Sequence, residues 1–217
     1  MSFFDFPNST IVNRVVPKNK FDTFTSPKQK KQFTESVSKI TWANKLSSET
    51  INLTAKDIEE IQIFKIELKK KDEISSLLEV IDKAIPYHII FWVQFEDSAY
   101  LSTSSKHAHP LNENTAVIDW TFKSEWFEQA DCPVKPTLKK SIDAVYKHIC
   151  VQISGKQELA KKSLKSIIEN QAKIHELNKE IEKLKTQISR SKQFKEKVAL
   201  NLELKEKERE LEKINNQ

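Results

Sequence analysis

Glu67 and Lys69 stand two residues apart at the end of an apolar-rich stretch, IEEIQIFKIEL, at residues 58–68. On a β-strand such a pair projects from one face. A carboxylate and a lysine placed this way suit metal-dependent phosphodiester hydrolysis. That chemistry needs two acidic groups to hold Mg²⁺ and an ammonium close to the attacking water. Asp57 is the nearest upstream candidate for the second carboxylate. It lies ten residues before Glu67 with no turn signal between. On one continuous strand it would sit about 30 Å away at ~3.3 Å per residue, far beyond the reach of a shared ion. A charged pair two apart on a strand is more often a solvated edge. The expectation is therefore a chain that leans towards no catalysis, with Mg²⁺ and the set Glu67, Lys69 and Asp57 as the enzymatic alternative.

Other chemistry-bearing residues are sparse. His88, His107 and His109 have no cysteine or acid at a spacing that completes a metal-ligand set. Cys132 and Cys150 form no CxxC pair, so a structural zinc is not expected and reduced thiols are. Gly155 is the single glycine, so no Gly-rich loop can cradle a phosphate. Nucleotide hydrolysis and a dinucleotide-cofactor site are excluded on that ground, and no cofactor is expected. Trp42, Trp92, Trp120 and Trp126 fall in or beside expected strands and read as core.

The net charge of +5 is unevenly distributed. Residues 1–154 hold 20 basic and 20 acidic residues, whereas 155–217 hold 16 and 11. Within the first part, residues 1–71 carry 13 basic side chains against 8 acidic. Lys18, Lys20, Lys28, Lys30, Lys31 and Lys45 cluster there and are the candidate contacts to a phosphate backbone. Only Arg14, Arg190 and Arg209 are arginines, so bidentate reading of bases is not expected. No apolar run approaches the ~18 residues of a membrane span. The N-terminus lacks the pattern of a secretory leader, which points to the cytoplasm.

The elements that would position these residues can be read from periodicity and punctuation. Residues 1–26 look irregular. Ser26-Pro27 opens a helix, serine as N-cap and proline at the first helical position. Its stripe is expected to be Phe33, Val37 and Ile40. ITWANKL reads as a first strand and TINL as a short second one. Residues 58–68 are apolar on both phases, the pattern of a central strand. A helix follows over 73–85, halted before Pro86. YHIIFWVQF, SAYLSTS and TAVIDWTF read as strands, the first two joined by a turn at Glu96-Asp97. LKKSIDAVYKHICVQIS is a helix with Leu138, Ile142, Val145 and Ile149 on one stripe.

From Lys156 onward there is neither glycine nor proline. Ile167, Ile174, Leu177, Ile181, Leu184 and Ile188 recur at heptad positions, with Asn170 in one of the slots. The register breaks across SRSKQF and resumes in another frame with Leu200, Leu204, Leu211 and Ile214. This is either a stutter in one long helix or the tip of a helical hairpin. Ile167, Ile174, Leu177, Ile181, Leu184, Ile188, Leu204 and Leu211 are the expected surface for self-association or a partner.

Long strings along the chain resemble a bacterial family catalogued as domain of unknown function 4391. They are STIVNRVVPKNKF at 9–21, KKQFTESVSKITWANKLSSETINL at 30–53, EEIQIFKIELK at 59–69, IDKAIPYHIIFW at 81–92 and KQFKEKVALNLELK at 192–205. Shorter matches are SSK at 104–106 and SEWF at 124–127. The resemblance implies no catalytic residue. Members are described as encoded beside helicases and DNA methyltransferases, in clusters resembling restriction and defence islands.

The resulting expectation is an α+β domain over 1–154, with a mixed or antiparallel sheet flanked by helices, and a long coiled-coil helix or helical hairpin over 155–217. The expected function is a non-catalytic adaptor subunit of a DNA-processing or phage-defence system, docking on a helicase, a DNA methyltransferase or itself. The rival is an Mg²⁺-dependent nuclease of the restriction-endonuclease type. The expected order of a helix, three strands with Glu-x-Lys on the third, a helix and a strand is similar to that core.

Overall fold

Ser26 accepts a hydrogen bond from the Gln29 backbone N–H, and the Gln29 side chain accepts one from the Ser26 N–H. This capping box starts helix α1, Pro27–Ser36. In the computed structural model, which describes residues 4–215 apart from the side chains of 112–114, the helix ends earlier than its apolar spacing suggested. Val37 and Ile40 belong to strand β2, Val37–Ser47. The β-branched residues Val37, Ile40 and Thr41 favour the pleat and override the helical spacing.

The chain divides into two compact units, one up to Lys161 and one from Lys162. The first is a mixed α+β unit around a seven-stranded, mostly antiparallel sheet. Its strands are β1 Ile11–Val15, β2, β3 Glu60–Leu68, β4 His88–Phe95, β5 Ser98–His109, β6 Asn112–Lys123 and β7 Phe127–Glu128. The first six lie side by side in chain order, and β7 pairs with β5. Among the described strands, β3 and β4 alone pair in parallel. The helix between them, α3 Ser75–Ala84, makes the crossover that parallel strands require.

Two expectations fail in the N-terminal region. Residues 11–15, read as irregular, form the edge strand β1 against β2. TINL, read as a strand, is not one: Thr50 and Ile51 end a one-turn helix, α2 Ser48–Ile51, and Asn52 caps it. Asn52 ends it in the left-handed region at φ 51°, which asparagine tolerates. Two strands rather than three therefore separate α1 from α3.

Both faces of β3 are covered, as its two apolar phases require. Phe64, Ile66 and Leu68 join Phe33 of α1, Leu77 and Ile81 of α3, and Ile89, Phe91 and Val93 of β4 in one buried cluster. Ile61, Ile63 and Ile90 point the other way and are fully buried. On that side lies α4, Ile142–Ser154, whose Tyr146 hydroxyl is 3.0 Å from Thr103 Oγ1. Leu138 falls outside α4, which begins after the N-cap Ser141. In the first turn of α4 the Asp143 carboxylate accepts three backbone N–H bonds, from Lys56, Asp57 and Ile58. An isolated bridge from Thr54 to Ser141 runs beside them.

A buried ion pair crosses the α3 side of the sheet. Lys106 on β5 donates to Asp82 Oδ1 at 2.7 Å and to the carbonyls of Asp82 and Ile85 at 2.6 and 2.7 Å. The ammonium thereby satisfies carbonyls at the C-terminal end of α3. Burial pushes the Asp82 carboxyl up and the Lys106 amine down, and each charge opposes the other's shift.

The second unit is a pair of helices, α5 Leu164–Arg190 and α6 Phe194–Asn215, joined by three residues. It is not one continuous helix: the heptad break at 191–193 is a turn. Ser163 caps α5 by accepting from the Ser166 N–H. Ion pairs Lys173–Glu210 at 2.8 Å and Lys207–Glu180 at 2.7 Å tie the two helices antiparallel.

Candidate functional sites

β3 carries Glu67 on the same face as Lys65, and the two side chains form an ion pair at 3.2 Å. Across the sheet the partners of Glu67 are Lys39 on β2 and Gln94 on β4. Neither is a carboxylate, so the neighbouring strands do not offer Glu67 a second acid at those positions. Lys69 lies beyond the end of β3. Its ammonium donates to the Thr34 carbonyl at 2.8 Å and its backbone N–H to the Ser36 carbonyl at 2.8 Å. Glu67 and Lys69 are thus committed to different partners. Asp57 is an exposed loop residue before β3, held through its N–H by Asp143. The fold does not draw these three residues into one site.

The histidines are also dispersed. His107 meets Asp119 at 3.0 Å on the surface, and His109 accepts from the Leu111 N–H at 3.1 Å. The His88 ring stands edge-on to Tyr146 at 4.6 Å. Burial, with Lys106 adding to it, lowers the His88 imidazole to about 4. Among the described residues, no group of three or more His, Cys, Asp or Glu side chains is placed to hold a metal ion.

The N-terminal lysines do not form one free basic patch. Lys18 donates to the Val37 carbonyl at 3.0 Å, and burial followed by Lys69 lowers its pKa. Lys45 pairs with the buried Glu60 at 3.1 Å, a hydrogen bond that raises its pKa. Lys30 and Lys31 face Asp22 and Glu35 at 3.5 and 3.8 Å. Lys20 and Lys28 are exposed with no ion pair among the described residues.

The heptad residues are covered largely within the chain. Ile167, Leu177, Ile181 and Leu184 of α5 are buried, and Ile174 and Ile188 half-buried. Leu204 and Leu211 of α6 are half-buried as well. A second stripe on α6 was not picked out from the periodicity. Phe194, Val198 and Leu202 recur four apart and remain 80%, 45% and 61% exposed. Their spacing was legible, but it competes on the same helix with the stripe of Leu200, Leu204, Leu211 and Ile214.

A cleft of about 330 Å³ beside α4 was also missed. Ala144, Val151 and Ala160 give it a mainly apolar wall, with Lys139, Lys140 and Lys147 around it. Thr137 and His148 complete the lining. Its lysines lie close in sequence, but no periodicity or motif shows that Lys139 and Lys140 before α4 and Lys147 on it line one cleft.

A family model described as domain of unknown function, DUF4391, matches residues 4–211. The chain belongs to this family. No curated protein and no solved structure matches it. The DUF4391 match spans nearly all of both units, so sheet and helix pair together are the family's domain. No helix among the described residues of this DUF4391 chain is long and apolar enough to cross a membrane.

Proposed function

We propose that the protein is a non-catalytic adaptor subunit of a bacterial DNA-processing or defence assembly, docking on a larger partner through its α5–α6 pair. The observation that carries the reading is the stripe Phe194, Val198 and Leu202, exposed on a helix that buries no residue of its own. Single exposed apolar residues are ordinary, but three aligned at i, i+4 and i+8 form a helix-docking face. The internal seam of the pair already employs Leu177, Ile181 and Leu184, so this stripe is additional to it. The helicase or DNA methyltransferase as partner rests on the setting described for the family, and self-association through the same stripe is the other occupant. The dispersal of Glu67, Lys69 and Asp57 favours this reading over Mg²⁺-dependent cleavage.

The test is affinity purification from the native host followed by mass spectrometry, wild type against Phe194→Asp with Leu202→Asp. A helicase, a methyltransferase or a second copy that is lost with the variant supports the reading. An identical set of co-purifying proteins from both would sink it.

A further inference from the structure

The cleft beside α4 collects cations without counter-charges. Lys139, Lys140 and Lys147 stand on its lining with no carboxylate among the lining residues. Several lysines elsewhere in the unit, among them Lys30, Lys45, Lys65, Lys83, Lys106 and Lys123, face an acid, whereas Lys20 and Lys28 are exposed without one among the described residues. Lys147 donates one N–H to the Ala160 carbonyl at 2.8 Å, which leaves its other two donors free for a ligand. Beside these lysines the lining is mainly apolar, with Ala144 and Val151 of α4 and Ala160. The volume, about 330 Å³, is that of a small-ligand pocket.

The walls are also preformed. Gln152 on α4 accepts from the Lys135 N–H at 2.6 Å and donates to the Lys135 carbonyl at 3.3 Å, which fastens the 135–140 segment to the helix. The same amide nitrogen lies 2.9 Å from His148 Nε2. At the other end of the segment, Lys140 holds a left-handed backbone at φ 71°. A lysine there is strained, and such outliers persist where the surroundings fix them, often beside ligands. The strain sets Lys139 and Lys140 at the cleft immediately before the N-cap Ser141.

We propose that this cleft binds a small amphiphilic anion. Its apolar body lies on Ala144, Val151 and Ala160, and its anionic head sits among Lys139, Lys140 and Lys147. A bare phosphate backbone would use the charges and leave the apolar wall idle. A neutral apolar ligand would leave three ammonium groups without purpose.

The proposal is tested on the full chain by fluorescence titration with anilinonaphthalene sulfonate, a probe with an aromatic body and one anionic head. The expected result is one saturable site. Lys139→Gln with Lys140→Gln should weaken it roughly tenfold or more, the loss of two charge-assisted contacts. Ala144→Trp, which fills the cleft from an already half-exposed position, should abolish it. Circular dichroism and the melting temperature confirm that both variants fold. The control Phe194→Ser with Leu202→Ser lies on the other unit and should leave the site intact. Displacement by octanoate identifies a carboxylate ligand, and displacement by adenosine monophosphate a phosphorylated one. The proposal is overturned if both cleft variants bind the probe like wild type, or if neither competitor displaces it.

Discussion

Lys69 and Thr34 are joined by a 2.8 Å hydrogen bond from the lysine ammonium to the threonine carbonyl. Thr34 lies in the last turn of α1, where carbonyls have no partner within the helix and where the dipole favours a cation. Lys18 does the same for the Val37 carbonyl just beyond the helix end. The lysine of the Glu-x-Lys triplet is thus a helix cap. Lys69→Met should lower stability by about 0.3–1 kcal/mol in urea unfolding. Glu67→Ala should change it by no more than about 0.5 kcal/mol, because its ion pair with Lys65 is partly exposed. Purified protein that cuts DNA with Mg²⁺, and stops doing so with Glu67→Ala, would overturn this assignment.

The two apolar stripes of the helix pair separate in their effects. Leu177→Asp with Leu184→Asp places charges in the buried seam, so the α5–α6 pair should open. Limited proteolysis would then cut within 164–215 while the sheet unit keeps its melting transition. Phe194→Asp with Leu202→Asp should leave protease resistance unchanged and remove only partner binding. If the seam variant resists protease as wild type does, the packing assigned to that seam is wrong.

The Lys106–Asp82 pair predicts a non-additive cycle. Lys106→Met strands a buried carboxylate and should cost about 3–5 kcal/mol. Adding Asp82→Leu should recover most of that loss, because no lone charge then remains. The carbonyls of Asp82 and Ile85 still lose their donor, so recovery stays incomplete. Additive losses in the double variant would show that the two charges do not depend on each other.

His88 gives a signed pH dependence. Its imidazole is lowered to about 4 by burial, then by Lys106, whereas an ordinary histidine titrates near about 6.5. The unfolded chain therefore takes up the proton first. The contribution of His88 is full above about pH 6.5 and is lost as pH falls towards about 4, by up to about 1.4 kcal/mol per pH unit. His88→Phe keeps a ring against Tyr146 and should remove up to one proton from the slope between about pH 6.5 and about pH 4. Urea midpoints at stepped pH read this directly, and an unaltered slope would refute it.

Much of the sheet was legible because β3 and β4 signal strongly: apolar phases on both faces mark a central strand, as Phe64 and Ile63 show by their burial. The start of α1 was equally clear, since Ser26 and Pro27 act locally. Its end was not. Val37 and Ile40 satisfy a helical spacing and a strand alternation alike, and only pairing with β3 decides between them. β1 escaped notice because Asn13 at φ 47° and the irregular register with β2 break its alternation. The triplet at Glu67 was visible in the sequence, but its cross-strand neighbours, Lys39 and Gln94, are set by strand registers, the one with β2 broken by bulges, that no local pattern fixes. The cleft beside α4 lay beyond reach because Lys139 and Lys140 precede the helix and Lys147 lies on it, and no local pattern shows that they line one cleft.

The order of the first six strands in space is also the order in which they leave the ribosome. Each new strand finds its partner already made, so the sheet can grow from one edge without threading a strand between two others. Low sequence separation of this kind favours rapid folding, and domains acquire structure from the N-terminus during synthesis. Segment 54–58 must wait, because its bridge to Ser141 and its bonds to Asp143 need residues made more than eighty positions later. Until α4 emerges, the face bearing Ile61, Ile63 and Ile90 lacks that helix as its cover. A nascent chain stalled before α4 has left the ribosome should therefore engage chaperones through that face, and release them once that helix emerges.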